Sequence, residues 1–229
     1  MKVQSKSMTE SDIAQAQADY MSKIYAWMFG GLLLTALTAW YTFTSGITHS
    51  LGGWMFPLII AELALVFILS AKIQKLSVTA AAAMFLGYSF LNGLTFSVIF
   101  TAYSLGSIQE VFFITAAMFA ALSAYGYLTK KSLSGIGNFL FMGLIGIIIA
   151  GLVNLFMQSS ALSFAISVIG VIVFAGLTAY DTQKLKEMYT LQYEDGEMAT
   201  KGTIIGALKL YLDFINLFLF LLRLLGSRD

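Results

Sequence analysis

One apolar run, Ile204 to Leu225, reads IIGALKLYLDFINLFLFLLRLL and constrains this chain more than any other stretch. As a helix it extends roughly 33 Å, enough to cross the hydrocarbon core of a bilayer. Yet roughly 13 Å from its start stands Asp213, and an unpaired carboxylate at such a depth costs about 3 kcal/mol or more. Lys209, Asp213 and Asn216 share one helical face, and Gly202 and Gly206 continue that face as a small-xxx-small step. A polar face inside a membrane has to be turned toward other helices. The chain must therefore supply enough further spans to surround it.

It does. Hydrophobic residues make up 59% of the sequence and charged residues 11%, so the class is a polytopic, all-α membrane protein. Seven windows of spanning length are predicted: Ile24–Phe43, Trp54–Ala71, Val78–Tyr103, Ile108–Leu128, Ile136–Phe156, Leu162–Tyr180 and Ile204–Leu225. The third is overlong, which predicts a tilt or a trimmed end. This divides the chain into an N-terminal tail (1–23), a seven-helix membrane domain (24–225) and a short outer tail (226–229). The tail from Met1 to Ser22 reads as polar and flexible, and the sixth loop, Thr182–Thr203, as the longest and most charged connection. A net charge of +1 argues against a nucleic-acid partner. The absence of cysteine removes disulfides, thiolate metal sites and cysteine nucleophiles together.

Lysines set the orientation. Lys2, Lys6 and Lys23 precede the first span; Lys72 and Lys75 follow the second, Lys130 and Lys131 the fourth, and Lys184, Lys186 and Lys201 the sixth. The first, third and fifth loops have none, so the N-terminus is expected in the cytoplasm and the C-terminus outside. Arg223 and Arg228, at the far end of the last span, can snorkel to the headgroups.

Three acidic residues then need an account. Glu62 lies near the middle of the second span, as either a neutral acid bonded to a neighbouring helix or a stop for a cation or proton. Asp181 is expected at the C-terminal end of the sixth helix, where the dipole opposes its charge, with Lys184 in reach as a structural partner. Asp213 reads either as half of an intrahelical pair with Lys209 or as a functional carboxyl. The sixth span ends, and the seventh begins, on the same side. Asp181 and Asp213 can therefore meet in low dielectric, where two carboxyls cannot both ionise cheaply and would share a proton. Such a pair is a natural pH sensor.

At LTAYDTQKLKEM and GALKLYLDFINLFLFLLRLLG, with LYLDFINLF at Leu210–Phe218, the chain resembles the Bax inhibitor-1 family, the transmembrane Bax-inhibitor-motif proteins, and specifically their bacterial inner-membrane members. YAWMFGGLLLTALTAW, AELALVFILSAKIQKLS and KKSLSGIGNFLFMGLIG are similar to it as well, so the resemblance runs from about Tyr25 to Gly226. It implies seven helices with the C-terminal helix central and wrapped by the other six. It also implies that Asp181 and Asp213 form a pH-sensitive calcium-leak switch, and that Glu62 matches an acidic position linked to the pore. The family's basic latch at the inner end of the second helix has Lys72 and Lys75 as candidates here, without the bidentate fork of an arginine. Lys209 departs from the motif and is a further candidate counter-charge.

Three functions compete. The first is a calcium leak gated by the aspartate pair, calcium being a hard cation suited to carboxylates; it needs no cofactor and no resident metal. The second is a regulatory protein that binds other membrane proteins, such as a quality-control protease, through its polar tail. The third is an intramembrane aspartyl protease, in which the two carboxyls would act on a water. That chemistry comes with a Gly-x-Gly-Asp turn and a Pro-Ala-Leu element, whereas Tyr211 and Leu212 precede Asp213 and Pro57 is the only proline. The chain is expected not to be an enzyme.

Overall fold

The computed structural model describes residues 9–192 and 196–227. Among these are eight α-helices and no strand: α1 Glu10–Thr44, α2 Met55–Lys72, α3 Val78–Phe96, α4 Ile99–Ala102, α5 Leu105–Leu128, α6 Ser134–Met157, α7 Ser160–Gln192 and α8 Gly196–Leu225. Seven helical segments are long and apolar enough to cross a membrane, α3 and α4 counting as one. The chain is an all-α polytopic membrane protein.

Burial decides the layering. Of the most apolar stretch of each span, 72% is buried in α8, against 6% for the segment containing α2 and 11% for α6. Helix α8 is the axis: α7, α1, α5 and α3 pack on it, and α2 and the turn Ile73–Lys75 touch its side. Helix α6 closes the bundle by packing on α7, and α2 by packing on α3. The outer faces show Phe56, Phe113, Phe139 and Phe156, apolar side chains with lipid as their natural solvent. Close approach around the axis depends on small residues. A Cβ on Gly206 would stand 2.9 Å from Ile24 Cδ1 and 3.0 Å from Leu185 Cδ2, and one on Gly126 of α5 would run into the Ala179 carbonyl of α7.

The structure departs from the sequence expectations in three places. The overlong third span is broken: α3 ends at Phe96, the Ser97 hydroxyl donates to the Leu94 carbonyl at 2.7 Å, and α4 follows as a single short turn. The tail is not flexible where it is described. A capping box, with Thr9 and Asp12 bonding each other's backbone N–H, starts α1 at Glu10. Good helix formers, with Gln15 donating to Asp19 at 2.9 Å, carry it unbroken into the first span, and Tyr20 and Met21 are buried. Met1 to Met8 lie outside the described residues.

The sixth loop is the largest difference. Helix α7 runs on to Gln192 and α8 begins at Gly196, so most of Thr182–Thr203 is helical; residues 193–195 lie outside the described residues. No glycine or proline interrupts the sequence from Leu177 to Asp195. Lys184 pairs with Glu187 and Lys201 with Glu197, each at 2.8 Å along its own helix, while Leu185 between them is buried. Charge density suggests a loop, but these charges alternate with an apolar stripe that packs, and the stripe prevails. Asp181 is therefore in a helix interior and not at a C-terminus, so the dipole argument made for it does not hold.

Candidate functional site

The interface between α7 and α8 is the most extensively packed in the bundle, and it brings Asp181, Lys209 and Asp213 together. Lys209 Nζ lies 3.6 Å from Asp181 Oδ1, with the aspartate side chain 14% exposed and the lysine 49%. Lys184 is paired with Glu187 and is not the partner of Asp181. Asp213, one turn beyond Lys209, is 4% exposed, and its Oδ2 is buried without a hydrogen-bond partner. Asp181 and Lys209 are the charged groups that act on it. No hydrogen bond joins the two carboxyls among the described residues. The site is thus a lysine–aspartate ion pair beside a second, more deeply buried carboxyl.

This inequality has a local origin. Lys209 and Asp213 are separated by one turn and share a face, but Lys209 is nearer the lysine-rich end and its long stem lies along the α7 side. Asp213 sits deeper, in a segment where Phe214 packs edge-on against Phe112 and Phe119, each at 5.5 Å between ring centroids. Water is thereby kept from one carboxyl while the other keeps a partly exposed cation.

Glu62 belongs to a second cluster. It is half-buried and accepts a 3.0 Å bond from Thr95 Oγ1 of α3, with the Asn92 amide beside it. Asn92 Nδ2 donates to the Tyr88 hydroxyl at 3.2 Å, while its Oδ1 is buried without a partner. Tyr88 meets Tyr211 of α8 edge-on at 5.6 Å, and Tyr211 OH lies 2.6 Å from Thr35 Oγ1 of α1. Thr35 has a single hydroxyl proton, and the carbonyls of Gly31 and Ser89 both lie within its reach, so Tyr211 is the donor of that short bond. Tyr211 and Asp213 are two residues apart and so point to different sides of α8. Glu62 is placed with the tyrosines and not with the aspartates.

Lys72 and Lys75 are exposed, in and beside the turn that touches α8, and among the described residues neither is ion-paired with Asp181 or Asp213. Of the candidate counter-charges, the one on an aspartate is Lys209. Of this cluster the sequence marks Glu62 by its charge, and hydroxyls recurring in apolar windows, such as those of Thr35, Tyr88 and Tyr211, are the signal for the rest. Among the described residues no three His, Cys, Asp or Glu side chains gather as a metal site.

Residues 17–229 match the family described as Inhibitor of apoptosis-promoting Bax1. Inner membrane protein YbhL of Escherichia coli (strain K12) is 54% identical over 214 residues, covering 91% of this chain and 92% of the relative. An uncharacterized protein of Deinococcus radiodurans is 46% identical over 228 residues, covering 99% and 98%. Uncharacterized protein RP147 of Rickettsia prowazekii is 44% identical over 212 residues, covering 91% and 89%. With the match extending from the first helix through the whole bundle, the chain belongs to the Bax inhibitor-1 family.

Proposed function

We propose that this protein is a pH-sensitive cation leak of the bacterial inner membrane, with calcium as its cargo and the Asp181–Asp213 site as its gate. The lysine-rich end of the bundle is taken as cytoplasmic and the end of α8 as periplasmic, following the positive-inside bias. One observation carries the reading: Asp213 Oδ2 is buried with no hydrogen bond, and Asp181 and Lys209 are the charges acting on it. A carboxylate left in that position is costly, and there are two ways to relieve it. Taking up a proton leaves the α7–α8 interface closed. Staying ionised beside Asp181 drives the two acids apart, and that separation is the opening motion. Lys209 takes up part of the repulsion by holding Asp181. Glu62, in its own cluster, is the acidic group past which a cation would move.

Calcium flux into proteoliposomes, measured from pH 5 to pH 8, tests this. The parent protein should conduct more as pH rises, and Asp213→Asn should make flux independent of pH. Equal flux from the two proteins at every pH would remove the gate from Asp213.

The name of the relative YbhL places that protein in the inner membrane, which supports the same location here. Binding to a membrane protease remains the second reading, and the helical extension Glu10–Lys23 gives it a rigid surface in place of a loose tail. The aspartyl-protease reading stays behind both: it needs two carboxyls on one water, whereas Lys209 holds Asp181 and Asp213 is closed off from solvent. We therefore read the chain as a membrane protein that is not an enzyme.

A further inference from the structure

At the lysine-rich end, α1 and α5 stand apart. A cleft of about 700 Å³ lies between them, walled by Met21, Tyr25 and Met28 on one side and Phe119, Ala120 and Ala124 on the other. Its back is crossed by a relay of hydroxyls: Tyr25 OH lies 2.6 Å from Ser123 Oγ, which lies 2.8 Å from Thr182 Oγ1 of α7. The rest of the wall is almost wholly apolar. Its volume is that of a pocket for a sizeable small molecule, for which roughly 300–1,000 Å³ is usual.

A second, polar pocket of about 390 Å³ adjoins it, with Tyr127 common to both and Thr129, Lys130, Ser132 and Lys186 among its walls. Lys186 is held in place by neutral groups: Nζ donates to the Tyr127 carbonyl at 2.9 Å and stands 4.6 Å from the centre of the Tyr127 ring. The acid on the rim, Glu187, is taken by Lys184 at 2.8 Å. Lys130 is exposed beside it, and Lys131 follows. The pocket thus presents two cations whose charge no carboxylate of its own wall answers.

From this pairing we infer that the α1–α5 cleft and the Lys130–Lys186 pocket together form a binding site for an anionic glycerophospholipid, with the acyl chain in the cleft and the phosphodiester between the two lysines. A free phosphate would leave the apolar cleft unused. A phosphatidylcholine would bring its own cation against Lys130 and Lys186. A headgroup without a cation, such as that of phosphatidylglycerol, matches both halves. The inference does not rest on the leak: it concerns the side of the bundle where α1 and α5 meet lipid, and it uses neither Lys209 nor Asp181.

Native mass spectrometry of the full chain released from detergent, with dipalmitoyl phosphatidylglycerol or dipalmitoyl phosphatidylcholine added, tests it. Each lysine near a membrane surface contributes about 1 kcal/mol to anionic-lipid binding, so phosphatidylglycerol should be retained at least about fivefold more than phosphatidylcholine. Lys130→Gln with Lys186→Gln should abolish that preference, and Lys75→Gln, at an exposed lysine that lines neither pocket, should keep it. Ala124→Trp, which fills the cleft, should weaken both lipids. Millimolar inorganic phosphate should not displace the lipid. Equal retention of the two lipids by the parent protein overturns the inference without recourse to any variant. So does an undiminished preference in the double lysine variant, or complete displacement by phosphate, which would reduce the site to one for a small anion.

Discussion

Lys209 reaches from α8 to Asp181 on α7, 3.6 Å away, and leaves Asp213 on its own helix without an ion-pair partner. An intrahelical pair one turn apart was the simpler expectation. The interhelical choice makes the two aspartates inequivalent: Asp181 is largely buried and paired, and Asp213 is more deeply buried and without an ion pair. It also ties α7 to α8 by charge at the point where the proposed gate must separate them.

Replacing Lys209 with Met should therefore do two things. It removes the ion pair between α7 and α8, and because Lys209 is half-exposed the cost in thermal unfolding should be under about 1 kcal/mol. It also takes away the cation shared by the proposed gate, so the pH dependence of calcium flux in proteoliposomes should differ from the parent's. An unchanged pH dependence would mean that Lys209 has no part in the gate.

Asp213→Asn keeps the shape of the side chain and removes a buried charge. Removing the charge from a buried group that has no hydrogen-bond partner is worth on the order of 1–3 kcal/mol, so the variant should unfold at a higher temperature than the parent at pH 8. Thermal unfolding in detergent reads this directly, and a variant less stable than the parent would show that the carboxyl is structurally required.

For Glu62 the expected separation is between stability and selectivity. Glu62→Gln retains an acceptor for Thr95 Oγ1, so unfolding should shift by less than about 1 kcal/mol. Removing one unit of charge from the path of a hard cation should lower the calcium-to-potassium permeability ratio by roughly fivefold, from about 1 kcal/mol of lost attraction. Bi-ionic reversal potentials measure it. An unchanged ratio would leave Glu62 as a hydrogen-bonding residue of the α2–α3 contact.

Gly126→Val tests the packing that positions the site. Its side chain would meet the Ala179 carbonyl, two residues before Asp181, and overpacking of this kind costs about 1–3 kcal/mol or more. Gly135→Ala, where a Cβ meets nothing within 4 Å, is the control and should be neutral or slightly stabilising. Thermal unfolding of both variants distinguishes a tight α5–α7 contact from a loose one.

Much of this architecture is legible in the sequence because apolar length is a direct physical requirement of a bilayer. Seven spans follow from windows such as Ile136–Phe156, and the acidic residues stand out because they are expensive there. The misreadings have a common source. Residues 10–23 and 182–192 are polar enough to resemble loops, but Tyr20, Met21 and Leu185 lie on buried stripes that only the tertiary structure exposes. The partner of Lys209 was equally hidden. Helical spacing puts Asp213 within reach, and nothing in a single helix reveals that the neighbouring one brings Asp181 to 3.6 Å from Lys209 Nζ. The tyrosine and threonine cluster around Asn92 joins α1, α3 and α8, so it exists only as a product of their packing.

Helix α8 is the most deeply enclosed span and also the one synthesised after the other six. Until it leaves the ribosome, the inward surfaces of α1, α3, α5 and α7 have nothing to close upon, and Ile24, Phe85 and Val111 must wait against lipid or one another. Assembly thus waits for this span. A chain interrupted before residue 196 would lack the helix on which α1, α3, α5 and α7 pack.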